Sequence, residues 1–418
     1  MTRSHRIRVR PAGFTLVEIL VGLTIGLIAI IVMYQVFAVF DGQKRTTTSG
    51  SDAQTTGLIS LYLLERDARM AGYGLVYNNP VNDTVYEGQM LCNWIRFQDA
   101  TSAAATVDRL MPVLIEDGAG ANGSDRLTVT YAASSFAPAP AILSVPVSQS
   151  TDLIVKNAPD SGSGTNAMFA ANDLVLVGTP QTVRSTSVDN TCTLLAVSAV
   201  APTGADATLT RALATSAALP TTNASLTKAD TTSYSYDAAA GAPSIVVKLG
   251  SVAAGQPAFV RSHYAISAGN ELQVRNLTTN AAAQSLGDNV IDLQAQYGLV
   301  AGTCADNPGS CNVVDAWTDA TGTWAAPTAE QIARIKALRV AVVVRSTVRE
   351  REIATRNCMP FDGTTTVPSA TTPCRAWPGG PALSFTAIPN WSASDAAFFR
   401  YRVYETVVPL RNMLWGNT

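Results

Sequence analysis

The chain has 418 residues, 47% hydrophobic and only 14% charged, with 29 lysines and arginines against 31 aspartates and glutamates. A formal net charge of −2 offers no polybasic surface for nucleic acid, and the chain is too apolar and too weakly charged to stay disordered. It suits a folded, β-rich exported protein, long enough for more than one compact unit.

The first 13 residues hold Arg3, Arg6, Arg8, Arg10 and His5 and no acid. From Phe14 to Phe40 come 27 residues with a single charge, Glu18. As a helix rising about 1.5 Å per residue, this run reaches roughly 40 Å, more than the ~30 Å hydrocarbon core of a bilayer. The basic flank places the N-terminus in the cytoplasm and the remainder across the membrane. An ordinary secretory signal is cut after its apolar core at a small-residue site, and the polar DGQKRTTTSG after Phe40 offers none. The small residue stands in front instead, at Gly13. A cut between Gly13 and Phe14 sheds the four leader arginines, keeps the apolar helix, and leaves 25 basic against 31 acidic residues.

Gly13, Phe14, Thr15, Leu16 and Glu18 match one by one the type IV pilin family, whose leader ends in Gly followed by Phe-Thr-Leu-x-Glu, and the chain resembles that family here. The resemblance implies cleavage by a prepilin peptidase, methylation of the new Phe14 amine, and a Glu18 carboxylate that meets the amine of a neighbouring subunit in a filament. A charged carboxylate at membrane depth costs about 2.5 to 3.5 kcal/mol and is usually functional. Within one helix Glu18 already stands four residues from Phe14, near the positive end of the macrodipole. Helices packed in the wrong stagger would leave that charge unpaired, so the resemblance implies that Glu18 serves as a registration device.

Beyond Phe40 the chain is polar, with Gly42, Gly50 and Gly57 loosening any helix by about 1 kcal/mol each relative to alanine. Helical spacing resumes in LISLYLLERDARMAGYG, where Leu58, Leu61, Tyr62, Leu64, Ala68 and Ala71 form an apolar stripe and Gly72 and Gly74 provide the stop. Arg66, Asp67, Arg69, Ala71 and Gly72 resemble the Arg-Asp-x-Arg-x-Ala-Gly stretch of PilW-type minor pilins. The same charges also read as a solvated helix face.

After residue 80 short β-branched runs dominate: 126–132, 173–178, 193–200, 244–250 and 271–277. In NVIDLQAQYGLV, Ile291, Leu293, Ala295, Tyr297 and Leu299 share one face of a half-buried strand, and Asp292, Gln294 and Gln296 the other. Thr328 and Gln331 have capping-box spacing before a short helix. ALRVAVVVRS and RYRVYETVVPLRN again resemble the PilW type and are expected at the centre of the sheet that carries the long helix. Stretches 134–150, 201–242 and 360–382 read as loops.

Six cysteines in an exported chain read as disulfides. Neighbour pairing joins Cys304 to Cys311 and Cys358 to Cys374 and leaves Cys92 with Cys192, while the sequence leaves other connectivities open. No Cys-x-x-Cys supports zinc, and the oxygen-rich Asp117, Asn122 and Asp125 lack EF-hand spacing for calcium, so neither metal nor cofactor is expected. No phosphate loop or hydrolase motif is present, and His263 reads as a hydrogen-bonded strand residue. Trp317, Trp324, Trp377 and Trp391 in loop-like sequence read as partner contacts or as buried anchors of long loops.

The expectation is an α+β, pilin-like fold: leader 1–13, assembly helix 14–40, second half of the helix 41–74, and a β-rich head 75–418 with a large β insertion at about 100–290. Its functional counterpart is a non-enzymatic minor pilin, at the tip of a type IV pilus after residence in the inner membrane with its head in the periplasm. Its partners are the prepilin peptidase, other minor pilins, the major pilin and a tip adhesin, with no nucleic acid. A pseudopilin of a type II secretion system and a pilin-borne glycan-binding module are the alternatives.

Overall fold

A computed structural model describes residues 13, 15–76, 90–98, 105–133, 140–144, 152–156, 158, 168–178, 191–211, 244–251, 259–278, 282–300, 313–358, 363–365, 374–383 and 397–414. Phe14, Cys304, Cys311 and Trp391 lie outside these. The chain divides into two compact units, 1–52 and 53–418.

One helix, α1 (Leu16–Met70), runs through both. The glycines at 42, 50 and 57 do not interrupt it. It ends where Gly72 and Gly74 take left-handed φ of 78° and 71°, and Gly72 N–H then donates to Thr130 O at 2.9 Å. The buried face of its second half differs from the apolar stripe expected. Ala53, Gly57, Ser60, Leu61, Leu64, Asp67, Ala68 and Ala71 face inward, while Leu58 and Tyr62 are 58% and 64% exposed. Close approach to strands selects small residues over large ones: a Cβ at Gly57 would fall on the ring of Tyr404.

Two antiparallel sheets form the seat of this helix. The four-stranded one is ordered β15 (Ala316–Thr318), β14 (Val290–Leu299), β16 (Ile335–Arg345), β17 (Tyr401–Pro409). Of the two strands expected at its centre, β16 is central and β17 is an edge; β14 takes the other inner place. The five-stranded sheet is ordered β13 (Gln284–Asp288), β12 (Glu271–Asn276), β11 (Val260–Ile266), β4 (Arg126–Tyr131), β3 (Val113–Glu116). Ahead of β16, helix α2 (Ala329–Ala333) starts at a reciprocal capping box of Thr328 and Gln331. After β17 comes α3 (Arg411–Leu414), whose Asn412 Nδ2 donates to Ala71 O at 3.0 Å.

A third sheet of eight strands comes wholly from 94–251. Its main path is β2 (Ala105–Arg109), β1 (Trp94–Gln98), β8 (Thr191–Thr203), β7 (Asp173–Gly178), β10 (Ile245–Ser251), β5 (Ala141–Ile142). Alongside run β9 (Asp206–Arg211), paired with β8, and β6 (Leu153–Val155), paired with β9. The β1–β8 pair is parallel. A disulfide joins Cys92 to Cys192 at its start. One side of this sheet has its own apolar cluster, including Phe169, Val175, Leu195, Leu209 and Val246. β5 and β9 form in segments expected as loops, because small apolar pairs such as Ala141 and Ile142 find partners only in the tertiary fold.

β14 is buried along its whole length rather than on one face. A bulge at Ile291 breaks the alternation, sending Ile291 to the cluster around Trp377 and the disulfide Cys358–Cys374, and Leu293, Ala295 and Tyr297 to the main core. Its polar residues are covered too. Asp292 Oδ1 accepts from Gln294 Nε2 at 2.9 Å, and Gln296 Nε2 donates to Asp319 Oδ1 at 2.8 Å.

Asp125, just before β4, ties the two seat sheets together. Its N–H donates to Leu293 O at 2.8 Å, and its carboxylate accepts from Ala295 N at 2.7 Å and Gly118 N at 2.9 Å. Asp125 thus supplies one strand-like rung to β14 where β15 does not reach.

Candidate assembly site

Thr15 stands at the N-cap of α1. Glu18 N–H donates to Thr15 O at 3.1 Å and to Thr15 Oγ1 at 3.3 Å, satisfying one of the amides a helix start leaves open. Threonine three residues ahead of glutamate is also capping-box spacing. Gly13 precedes the helix and has open space around it.

From Leu16 to Phe40 the large apolar side chains are exposed, from 48% at Ile31 and Val36 to 77% at Tyr34. This stretch is apolar and long enough to cross a membrane. Thr24 satisfies its own hydroxyl on Val21 O at 2.8 Å. Among the described residues, the Glu18 carboxylate has no hydrogen bond or ion pair. Gly22 and Gly26 follow it at intervals of four, a helix strip along which another helix can come close. This pair is absent from the residues singled out by sequence, although its spacing is visible there.

On the head, the Arg66–Asp67–Arg69 stretch separates into two roles. Arg69 pairs with Glu65 one turn back at the surface. Asp67 is buried and accepts from Tyr264 Oη on β11 at 2.7 Å, with Arg66 at 3.5 Å. Burial and then the charge of Asp67 push the Tyr264 hydroxyl far above its ordinary range, so it stays a donor. Burial and Asp67 likewise push Tyr131 up to about 12. Asp67 is therefore an anchor between helix and sheet, not part of a solvated face.

The remaining candidates are structural in their contacts. His263 Nδ1 bonds Thr128 Oγ1 at 3.0 Å, and burial lowers its pKa. Both carboxylate oxygens of Asp125 are taken by backbone amides, and Asn122 bonds Asn270. No group of three or more metal-ligating side chains is assembled among the described residues. Trp377 is 1% exposed under Arg339, which lies 4.6 Å from its ring, so it is a loop anchor, while Trp317 and Trp324 are half-buried.

Residues 8–34 match the family model described as the prokaryotic N-terminal methylation motif, which covers Gly13, Glu18 and much of the apolar run. The apolar helix and this match point to membrane anchoring and pilus association. Residues 248–412 match the model described as Type IV Pilus-assembly protein W, spanning β11 through β17. These two segments are similar to a PilW-type type IV pilin and support a type IV pilus-related minor pilin. The comparisons with curated proteins and with solved structures gave no match.

Proposed function

We propose that the chain enters a type IV pilus through its apolar helix, occupies the filament tip, helps initiate assembly with other minor pilins and presents an adhesin. The carrying observation is Glu18: one carboxylate without a partner among the described residues, on an exposed apolar helix, five residues after a glycine that ends a basic leader. Cleavage after Gly13 by a prepilin peptidase gives Phe14 a charged amine, and a neighbouring subunit offers Glu18 that amine. The glycine strip at Gly22 and Gly26 and the exposed Leu58, Ile59 and Tyr62 provide helix faces for such neighbours. A head of 75–418, with a β insertion at about 100–290, is bulky to repeat along a shaft, which favours the tip. Disulfides accord with a periplasmic head reached across the inner membrane.

The test is N-terminal sequencing of the mature chain together with a Glu18→Ala variant. The expected result is a methylated Phe14 in both, with Glu18→Ala retained in the membrane and missing from sheared pili. An intact Met1, or normal recovery of Glu18→Ala in pili, would overturn the reading.

A further inference from the structure

A cavity of about 440 Å³ lies between Leu63, Arg66 and Asp67 on α1 and the helix-facing side of strands β4, β11, β12 and β13. It falls wholly within the unit 53–418. Cross-strand register builds its floor: Ser262 stands opposite Asn276, and Tyr264 opposite Val274, which in turn stands opposite Gln284 on the edge strand β13. Its volume is that of a small-ligand site, for which about 300 to 1,000 Å³ is usual.

Two hydroxyls in this lining are not used by the fold. Ser262 is only 6% exposed, yet its Oγ makes no hydrogen bond among the described residues. Tyr131 Oη also has no hydrogen bond among them, and burial with the charge of Asp67 pushes its pKa up to about 12, so it keeps its proton. Tyr264 differs, because its hydroxyl is already spent on Asp67 at 2.7 Å. Buried polar groups normally have partners, since leaving one unpaired costs free energy. Two unpaired hydroxyls lining one cavity point to a partner supplied from outside the fold.

The chemistry of that partner follows from the rest of the lining. Arg66 and Asp67 are the only charges in it, and they already face each other at 3.5 Å. A ligand anion would meet the buried Asp67 carboxylate, and a ligand cation the Arg66 guanidinium. What remains are groups that both donate and accept, the hydroxyls of Ser262 and Tyr131 and the amide of Gln284, beside apolar surface from Leu63, Val274 and Leu286. A sugar ring has the matching combination, with hydroxyls around its rim and C–H groups on its face.

We infer that this cavity is a binding site for a neutral saccharide. The site needs neither membrane insertion nor a filament, so it stands apart from the assembly reading.

The test presents the full chain, in a detergent without a sugar headgroup, to an array of neutral and acidic glycans, and then titrates the best neutral glycan by calorimetry. The expected result is binding to neutral glycans, weakened about tenfold by Tyr131→Phe and by Ser262→Ala, each removing one hydrogen bond to the ligand. Both variants should keep the parent's urea midpoint, because neither hydroxyl serves the fold. Unchanged affinity in both variants would put the ligand elsewhere on the head and overturn the inference. An array with no glycan bound, or with acidic glycans alone bound, overturns it as well, and so does a lowered midpoint in both variants, which would give the hydroxyls a structural role. Each of these outcomes leaves the processing of Phe14 and the role of Glu18 untouched.

Discussion

Tyr264 donates its hydroxyl to Asp67 at 2.7 Å, tying the last full turn of the long helix to the middle strand of the five-stranded sheet. The helix could lie on the sheet by apolar contact alone, but this bond sets where along the sheet it lies. Removing only the donor leaves a buried carboxylate with Arg66, which is 64% exposed, as its remaining side-chain partner among the described residues. Tyr264→Phe is expected to cost about 1.5 to 3 kcal/mol, since the lost bond is to a charged group. Urea unfolding of the purified protein measures it, and a loss under a few tenths would show that Asp67 does not anchor the helix.

Burial pushes Asp292 and Asp125 up to about 7 from 3.8. The folded state therefore holds protons that the unfolded chain has released. The stability this represents is fully present below about pH 4 and is lost as pH rises through 7, with each pH unit between the unfolded and folded values worth about 1.36 kcal/mol. Asp292→Asn keeps an acceptor for Gln294 and removes the charge. It is expected to raise stability at pH 8 by a few kcal/mol relative to the parent and to flatten the slope between pH 4 and 7, read by chemical unfolding at a series of pH values.

Gly57→Ala sets two effects against each other. Helix propensity favours alanine by about 1 kcal/mol, but its methyl would fall on the Tyr404 ring. Overpacking of this kind costs about 1 to 3 kcal/mol, so the net change is expected to be destabilising. Adding Tyr404→Ala should make Gly57→Ala favourable in the double variant, and a double-mutant cycle by thermal unfolding tests the sign.

The Cys92–Cys192 bridge closes a sequence separation of 100 residues, against 16 for Cys358–Cys374. By chain entropy the longer loop contributes more, about 4.7 against about 3 kcal/mol. Replacing both Cys92 and Cys192 by serine should therefore lower the unfolding midpoint further than replacing Cys358 and Cys374. Parallel denaturation of the two double variants decides it.

The α+β class, the long helix with its stop at Gly72, the capping box at Thr328 and strands such as β7 and β16 were legible because each is written in adjacent residues. A helix of period 3.6, a β-branched run and a cap are local patterns, and local backbone preference suffices to produce them. Strands such as β5, β6 and β15 were not legible, because two or three residues carry no period of their own.

Sequence alone determined that one end of this chain is an apolar helix with a single carboxylate and that the rest is a β-rich head, since hydrophobicity and residue spacing are summed along the chain. Only tertiary structure decided which helix face is buried, that β14 is covered on both sides, and that Asp67 meets Tyr264. Those outcomes depend on distances between residues far apart in sequence, and a side chain's environment is set by whatever the fold brings to it.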